Sequence, residues 1–308
     1  MKVVLIGGAG GVGSSVAFSL LTSRFDYEVV LVDTRPEMIV SHVMDLENAV
    51  ALGGADVQVR GGTVEDALDA DIVVLCAAVP LRLNTSRSVY LAENLKIVAQ
   101  TVAPLRDPAF TGVVLMLTNP VDPLLTWVYR QEWLPRQRLV GYTLNDSLRL
   151  RTGAAAALGV HPREVDGWVV GEHGAGQVPL YSRLSVRGES VVLSDAQRKA
   201  AQDYIDNWYI RHVALNSGRT STWASGLGAA HMIEAMSADE GPMLPASAVL
   251  EGEYGIHGIC LGVPAVLGRQ GVSQIVEWEL AADELNGLRA AARSIESAVA
   301  DLDGLSAQ

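Results

Sequence analysis

The first glycine cluster of the chain places the strongest constraint on its fold. Residues 2–7 form an apolar run typical of a buried parallel strand, and a helical pattern extends from Val12 to about Arg24. Between them lies Gly8-Ala9-Gly10-Gly11-Val12-Gly13, a G-x-G-x-x-G motif. The first glycine permits a tight turn, the second lets a pyrophosphate approach the backbone, and the third lets helix and strand pack closely. The stretch therefore predicts a dinucleotide-binding strand–turn–helix unit.

A second apolar strand is predicted over Glu28 to Val32, and Asp33 follows it twenty residues after Gly13. An acid at this position accepts hydrogen bonds from an adenosine ribose, and its charge would repel a 2′-phosphate. The pattern therefore favours NAD over NADP, while the nearby Arg35 keeps NADP open. The alternative interpretation is a glycine-rich turn with an ordinary aspartate at a strand end.

The alternation of strands and helices continues along the first half of the chain. It predicts a helix over Pro36 to Leu52 and strands near Val57, over Asp71 to Ala78, over Val113 to Leu117 and around Arg138 to Gly141. Strands separated by helices in this way indicate an α/β protein with a doubly wound parallel sheet. Ligands bind at the carboxyl ends of the strands of such sheets, so the loops that follow them are candidate site segments.

Two of these loops carry polar side chains of interest. Arg82 and Arg87 lie in the loop after the fourth strand, where they form either a lid that closes on a substrate or a solvated rim. Asn119 follows the fifth strand, and Pro120 keeps it out of the helical region. Asn119 is therefore either a ligand-binding amide at the sheet edge or a turn residue.

Asp146 and Arg149 stand three residues apart and so share one face of a predicted helix. They are either a surface ion pair or a pair that orients a histidine and binds a carboxylate. His173 is a candidate for that histidine, because an apolar run breaks at a glycine and presents it in Gly171-Glu172-His173-Gly174. Imidazole exchanges a proton near neutral pH, so His173 is either a proton shuttle or a capping or core histidine.

Beyond Gly159 the composition shifts, and short strands with a turn at Gly188 precede longer elements. The pattern predicts helices from Asp195 to about Leu215, from near Thr220, and from Ala281 to Leu302, with strands over Pro245 to Gly252 and Ile259 to Leu267. This second part has a mixed α+β pattern, unlike the alternating first part. We therefore expect a dinucleotide-binding domain over residues 1–144 and a substrate or catalytic domain over residues 145–308. Because no long linker separates them, we expect the two to pack closely.

Composition argues against several kinds of partner. The chain has 308 residues, 49% of them hydrophobic, and its net charge of −12 disfavours nucleic acid or an anionic membrane. No apolar run reaches the roughly eighteen residues that span a bilayer, and the N-terminus has no signal-peptide core, so we expect a cytoplasmic protein.

Cys76 and Cys260 lie in apolar segments typical of buried thiols, and neither has the spacing of a metal site.

Together these motifs resemble the lactate/malate dehydrogenase family along essentially the whole chain. The segments that carry the resemblance are, in order, Gly8-x-Gly10-x-x-Gly13 with Asp33, Thr118-Asn119-Pro120-Val121-Asp122, Asp146-Ser147-Leu148-Arg149, Gly171-Glu172-His173-Gly174, Leu250-Glu251-Gly252-Glu253-Tyr254-Gly255 and Leu261-Gly262-Val263-Pro264-Ala265-Val266. The resemblance implies a Rossmann-type doubly wound sheet followed by a mixed α+β domain. It also implies NAD as cofactor, a small 2-oxo or 2-hydroxy acid as substrate, and a homodimer or homotetramer.

The resemblance further assigns a role to each candidate side chain. His173 exchanges the hydroxyl proton while a hydride moves to or from the nicotinamide, and Asp146 orients His173 and raises its pKa. Arg149 binds the substrate carboxylate and Arg87 polarises the carbonyl oxygen. The other implied contacts come from Asn119, Thr220 and Ser221 to the substrate, and from Gly8, Gly10, Gly11, Val12, Gly13, Asp33, Ala77, Asn94 and Asn119 to the cofactor.

The chain departs from the family where the substrate is selected. The family's selecting position lies six residues before the lid arginine, where an Arg reads the second carboxylate of oxaloacetate and a Gln suits pyruvate. Here that position is Leu81, which cannot pair with a carboxylate and predicts a less polar substrate side chain. If the substrate is malate, Arg82 or Arg219 is the candidate to pair with its second carboxylate. Ala175 stands where the family usually has Asp, and the sequence offers no mechanistic account of it.

Two functions of other classes compete with the dehydrogenase. NAD-dependent glycosidases share the fold, but they need Cys and His metal ligands that the sequence does not offer. A non-catalytic NAD-binding sensor needs no proton shuttle, so the set of Asp146, Arg149 and His173 argues against it.

Overall fold

The first half of the chain alternates strands with helices, as the sequence predicts. A computed structural model describes residues 1–79 and 87–306, with side chains for all of these except 87–89 and 303–306. The elements of this half are β1 (Lys2–Ile6), α1 (Gly11–Leu20), β2 (Tyr27–Val32), α2 (Pro36–Val50), β3 (Val57–Gly61), β4 (Ile72–Leu75), α3 (Arg87–Val102), β5 (Val113–Met116), α4 (Val121–Arg130) and β6 (Leu139–Tyr142).

These six strands form a parallel sheet in the order β3-β2-β1-β4-β5-β6. Residues of β4 and β5 are buried throughout, which is why both strands read as unbroken apolar runs rather than as alternating patterns. The chain winds outwards in both directions from the neighbouring strands β1 and β4. Their carboxyl ends therefore border the crevice in which doubly wound sheets bind dinucleotides.

The second half adds antiparallel strands to the same sheet. Its elements are α5 (Leu144–Leu158), β7 (Val165–Asp166), β8 (Val169–Gly171), β9 (Gln177–Pro179), β10 (Ser185–Val186), β11 (Glu189–Ser190), α6 (Asp195–Ala214), α7 (Trp223–Ser237), β12 (Met243–Glu251), β13 (His257–Gly268), β14 (Gly271–Ile275) and α8 (Ala282–Ser306). β12 pairs with β6, and the sheet continues through β13, β8 and β9, while β14 pairs with β13. β7, β10 and β11 form a separate three-stranded sheet.

One hydrophobic core runs through both halves of the chain, since a single cluster contains Leu5 of β1, Val249 of β12 and Leu288 of α8. The α/β architecture, with a parallel sheet followed by a mixed α+β region, confirms the predicted fold class. Within the described residues, no helix combines the length and the apolar character needed to cross a membrane.

The start of α7 differs from the sequence expectation. A helix was predicted from near Thr220, but α7 begins at Trp223. Gly218 adopts a positive φ of 68°, and the guanidinium of Arg219 donates to Oγ1 of Thr222 at 2.7 Å. Thr222 is the N-cap residue, whose carbonyl accepts from the N–H of Gly226 at 2.8 Å, so Thr220 and Ser221 precede the helix.

Candidate active site

The glycine motif forms a tight turn between β1 and α1. Gly7, with a φ of 91°, and Gly8 both donate their N–H groups to the carbonyl of Val32, at 2.8 and 2.9 Å. A Cβ on Gly13 would collide with the carbonyl of Gly7 and with the backbone of Gly8, so only glycine lets α1 pack this closely on the turn. The first N–H groups of α1 have no partners within the helix, and such free N–H groups make a helix N-terminus an anion-binding site.

Asp33 lies at the carboxyl end of β2, next to this turn. One oxygen accepts from the N–H of Ala9 at 3.2 Å, and the other accepts from Nε of Arg35 at 3.0 Å. Burial by itself raises the pKa of Asp33, but the hydrogen bond and charge of Arg35 outweigh it, and the net pKa is lowered. Asp33 therefore carries a negative charge at neutral pH beside the predicted ribose position.

Three predicted cofactor residues meet where β4 and β5 end. The amide oxygen of Asn94 accepts from the N–H of Val79 at 2.9 Å, and its Nδ2 donates to the carbonyl of Asn119 at 2.7 Å. The carbonyl of Ala77 accepts from the hydroxyl of Thr118 at 2.8 Å. Asn94 is fully buried, and its amide joins the backbone segments that follow β4 and β5, whereas Asn119 is exposed.

Asp146 and His173 meet although 27 residues separate them. α5 carries Asp146 in its first turn, and His173 follows β8 in a turn bounded by Gly171 and Gly174, both at positive φ. Nδ1 of His173 lies 2.6 Å from Oδ2 of Asp146. An ionised carboxylate accepts hydrogen bonds only, so Nδ1 carries the proton and Nε2 is left for another partner.

The surroundings of His173 act on its pKa in opposite directions. Burial lowers the pKa, because a charged imidazolium loses its hydration. The charge of Asp146 and its hydrogen bond raise it, with a further contribution from Asp122, while Arg149 lowers it. The net pKa lies above the usual 6.5, in the direction that the sequence predicts for a histidine beside a carboxylate.

Arg149 also reaches Asp146, one turn earlier on α5. Its Nη1 donates to Oδ1 of Asp146 at 3.2 Å, so the two carboxylate oxygens serve the arginine and the histidine separately. The guanidinium carbon of Arg149 lies 4.3 Å from the centroid of the Trp208 ring, which comes from α6. The structure thus brings Asp146, Arg149 and His173 together, as the motifs predict, and adds an aromatic face.

The segment between α6 and α7 borders the glycine turn. Thr222 is buried, and its methyl group lies 2.7 Å from the position that a Cβ on Gly11 would take. Arg219 is exposed, and its guanidinium carbon lies 4.8 Å from the ring centroid of Trp223. Thr220 is exposed and Ser221 is half-buried.

Several predicted residues fall in or beside the loop after β4. Leu81 and Arg82 lie outside the described residues, and so does the side chain of Arg87. The backbone of Arg87 begins α3. In the described part of the chain, no group of three or more His, Cys, Asp or Glu side chains is arranged to hold a metal ion.

The sequence analysis assigned no role to Asp122, Trp208 or Thr222, although Asp122 ends one of the segments that carry the resemblance. Asp122 accepts from the backbone N–H of His173 at 2.6 Å and is fully buried. A charged residue inside the otherwise apolar start of α4 was the available signal for it. For Trp208 the signal was its spacing of four from Tyr204 and His212, which places all three along one helix face.

Two family models match the chain almost end to end. The NAD-binding domain of lactate/malate dehydrogenase matches residues 1–141, and the alpha/beta C-terminal domain of lactate/malate dehydrogenase matches residues 143–302. The chain belongs to the lactate/malate dehydrogenase family. It is therefore an NAD-dependent oxidoreductase, and both the family and the cofactor predicted from the sequence are confirmed.

Members of the family with different names are matched about equally well. L-lactate dehydrogenase 1 of Staphylococcus aureus (strain bovine RF122 / ET3-1) is 33% identical over 310 residues, which cover 99% of this chain and 98% of that protein. The structure of malate dehydrogenase from Salinibacter ruber is 30% identical with a TM-score of 0.89, covering 99% of each chain. The minor L-lactate dehydrogenase from Enterococcus mundtii is 29% identical with a TM-score of 0.88, covering 97% of each chain.

The glycine turn of this family member fits the cofactor. Gly10 has space beside it, since a Cβ there would meet only the carbonyl of Gly7 within 4 Å, so a pyrophosphate can approach the backbone. Val12 lies in the first turn of α1, next to the helix N-terminus that would face the phosphates. Asp33 completes the set with an ionised carboxylate.

Proposed function

We propose that the chain interconverts a small 2-oxo acid and its 2-hydroxy acid with His173 as the acid and base. The observation that carries this proposal is the 2.6 Å contact between Nδ1 of His173 and Oδ2 of Asp146, next to Arg149. A histidine whose tautomer is fixed by a carboxylate, beside an arginine that can bind a substrate carboxylate, is the set that this reaction needs. The chain's place in the lactate/malate dehydrogenase family supports the same chemistry.

In the reducing direction, Arg149 holds the substrate carboxylate and the protonated His173 donates from Nε2 to the carbonyl oxygen. NADH, held by the glycine turn and Asp33, would supply the hydride for the carbonyl carbon, and this hydride and the proton from His173 together convert the ketone to an alcohol. His173 ends neutral, with Nδ1 still donating to Asp146. We assign polarisation of the carbonyl oxygen to Arg87, and contacts with the substrate or nicotinamide ribose to Asn119.

We propose that the substrate side chain carries no second carboxylate. Leu81 occupies the position that selects the substrate in the family, and an unpaired carboxylate buried beside it would be strongly unfavourable. The face of Trp208 against Arg149 supports an apolar neighbour in this part of the pocket. Arg219 is already held by Thr222 and packs on Trp223.

Malate is the second candidate substrate. The 30% identity to malate dehydrogenase from Salinibacter ruber favours it, as does the place of Arg219 next to Thr222, which adjoins the glycine turn. In that case Arg82 or Arg219 would pair with the second carboxylate. A non-catalytic NAD-binding sensor is the remaining alternative, and it requires that no 2-oxo acid be turned over.

A panel of 2-oxo acids tests these alternatives directly. NADH oxidation is followed with pyruvate, branched and aromatic 2-oxo acids, phosphonopyruvate and oxaloacetate. We expect a higher kcat/KM with a monocarboxylate than with oxaloacetate. Leu81→Arg should move the ratio towards oxaloacetate roughly tenfold or more, whereas Leu83→Arg, which adds the same charge two positions along the loop, should not.

The other outcomes of the panel are equally informative. A wild-type preference for oxaloacetate would contradict the monocarboxylate proposal, and Arg82→Gln and Arg219→Gln would then identify the cation by the loss of that preference. Absence of turnover with every acid, in a protein that still binds NADH, would support the sensor.

We also propose a homodimer or homotetramer in the cytoplasm, with domains over residues 1–144 and 145–308. Exposed apolar side chains one turn apart on α2, Val40 and Met44, support a subunit contact. Both cysteines are free thiols, in keeping with a reducing compartment. Light scattering of Met44→Glu against wild type tests the contact, which is contradicted if the mass stays that of the wild-type oligomer.

A further inference from the structure

A second carboxyl group, besides that of Asp146, contacts the turn that carries His173. Asp122 lies in the first turn of α4 and is fully buried, and its Oδ2 accepts from the backbone N–H of His173 at 2.6 Å. Asp146 holds the imidazole ring, at Nδ1. The turn that carries His173 is therefore held at both its backbone and its side chain, by two acids from different helices.

The charge of Asp122 needs an explanation beyond this hydrogen bond. An uncharged amide would accept from the same N–H without the free-energy penalty of burying an ion. Among the described residues, Oδ1 of Asp122 and the hydroxyl of Ser247 on β12 lack hydrogen-bond partners of good geometry. The protonated imidazole of His173 is a cation near this carboxyl group, and the two groups favour each other's charged forms.

We propose that Asp122 is a positioning residue of the proton-transfer site. It fixes the backbone of the turn that presents His173 and acts as a second anionic partner of the imidazolium. This inference rests on the proposed role of His173 in proton transfer. In this arrangement Asp122 acts through the histidine, because its Oδ2 accepts from the histidine backbone.

The pKa values of Asp122 and His173 depend on the groups that surround them and on each other. Asp122 faces His173 and Ser247, which lower its pKa, and Glu172, which raises it. Burial is the largest influence and raises the pKa of Asp122 to about 7. His173 faces Asp146 and Asp122, which raise its pKa, and Arg149, which lowers it. Asp122 and His173 each act on the pKa of the other, so their titrations are coupled.

Coupling has a direction that can be measured. As the pH falls through about 7, Asp122 takes up a proton and its support for the imidazolium weakens. Replacing Asp122 by an uncharged acceptor removes this negative charge at every pH. The pKa of His173 should then fall, while the hydrogen bond to its N–H persists.

The test is an NMR titration of the imidazole of His173 in the full chain saturated with NADH, assigned with His173→Asn. We expect Asp122→Asn to lower the pKa of His173 by roughly half a unit or more. Glu284→Gln is the matched control: Glu284 is also a buried acid that accepts from a backbone N–H, that of Ser182 at 3.0 Å, but it lies outside this site. An unchanged pKa in Asp122→Asn, or an equal shift in Glu284→Gln, overturns the proposal.

Two further measurements keep the proposal testable if Asp122→Asn folds poorly. Ser247→Ala removes a group that lowers the pKa of Asp122, so Asp122 becomes more often neutral and the pKa of His173 should fall by a smaller amount. Asp122→Leu removes the acceptor and should speed hydrogen exchange at the His173 N–H. No shift in the first and no faster exchange in the second overturn the proposal. Because neither readout needs substrate turnover, a failure here is distinct from a failure of the proposed reaction.

Discussion

Asp146 holds the imidazole of His173 through a contact of 2.6 Å between Oδ2 and Nδ1. Its other oxygen accepts from Nη1 of Arg149 at 3.2 Å. Both contacts use an ionised carboxylate as acceptor, so one acid fixes the ring tautomer of the proposed base and the direction of the arginine proposed to bind substrate. Changes at Asp146 should therefore affect proton transfer and substrate orientation together.

Asp146→Asn should lower kcat in either direction by roughly 10²–10⁴-fold, the usual contribution of a positioned acid or base. An asparagine can turn its NH₂ group towards Nδ1 and so favour the tautomer that leaves Nε2 protonated in the neutral ring. The affinity for NADH, measured by fluorescence titration, should stay at the wild-type value. Glu189→Gln, which neutralises an exposed acid far from the site, is the control. Wild-type kcat in Asp146→Asn would exclude the proposed role.

The pH dependence of the two directions should be opposite. Reduction needs the protonated imidazole, so kcat/KM for the 2-oxo acid is high at low pH and falls as the pH rises through the pKa of His173, which lies above 6.5. Oxidation needs the neutral imidazole, so kcat/KM for the 2-hydroxy acid rises through the same pKa. Paired pH profiles measure this. In Asp146→Asn both midpoints should move to lower pH. Burial lowers the pKa of His173, and the charge of Asp146 that raises it is then absent.

The aromatic support of Arg149 should appear in KM. Trp208→Ala removes the ring that lies 4.3 Å from the guanidinium carbon, and a cation–π contact of this kind contributes about 0.5–2 kcal/mol. We expect KM for the 2-oxo acid to rise by roughly 2–30-fold with a smaller change in kcat. Trp208→Phe keeps an aromatic face, so its KM should lie between those of the wild type and Trp208→Ala. An unchanged KM in Trp208→Ala would show that Arg149 is oriented by Asp146 alone.

The sequence predicted the parts of the fold that depend on local pattern. The strand at Glu28–Val32 and the helix beginning at Pro36 follow from hydrophobic runs and a proline, and they occur as β2 and α2. The start of α7 was placed too early: the carbonyl of Thr222, the N-cap residue, accepts the first bond from Gly226, and a periodic pattern does not locate such a cap.

Roles for the residues of the candidate site could be predicted from the sequence only where a family motif assigns them. Asp146, Arg149 and His173 were found through the family's segments. Asp122 and Trp208 act through contacts with residues distant in sequence, and Asp122 reaches the backbone of His173 across 51 residues. Such contacts depend on how α4 and α6 pack against the rest of the molecule, so the available sequence signals mark these residues without showing what they touch.

The contacts of Asp33 predict how the preference for NAD can be changed. Asp33 is ionised and accepts from Arg35, so a 2′-phosphate would meet a negative charge while the adjacent guanidinium is engaged. Asp33→Ala removes the repulsion and frees Arg35 for the phosphate, so affinity for NAD should fall and affinity for NADP should rise. Charge-assisted hydrogen bonds contribute about 1.5–3 kcal/mol, so the ratio of the two affinities should change by at least roughly tenfold.

The second variant separates the two causes of that change. In Asp33→Ala with Arg35→Gln, repulsion is still absent but no guanidinium is available, so the gain in NADP affinity should largely disappear while NAD affinity stays at the level of the single variant. Fluorescence titrations of the wild type and both variants with NADH and NADPH give the six affinities. If Asp33→Ala leaves the ratio as it is in the wild type, the ribose does not bind at Asp33. If the double variant keeps the full gain, repulsion alone accounts for the preference and Arg35 serves only to hold Asp33 in place.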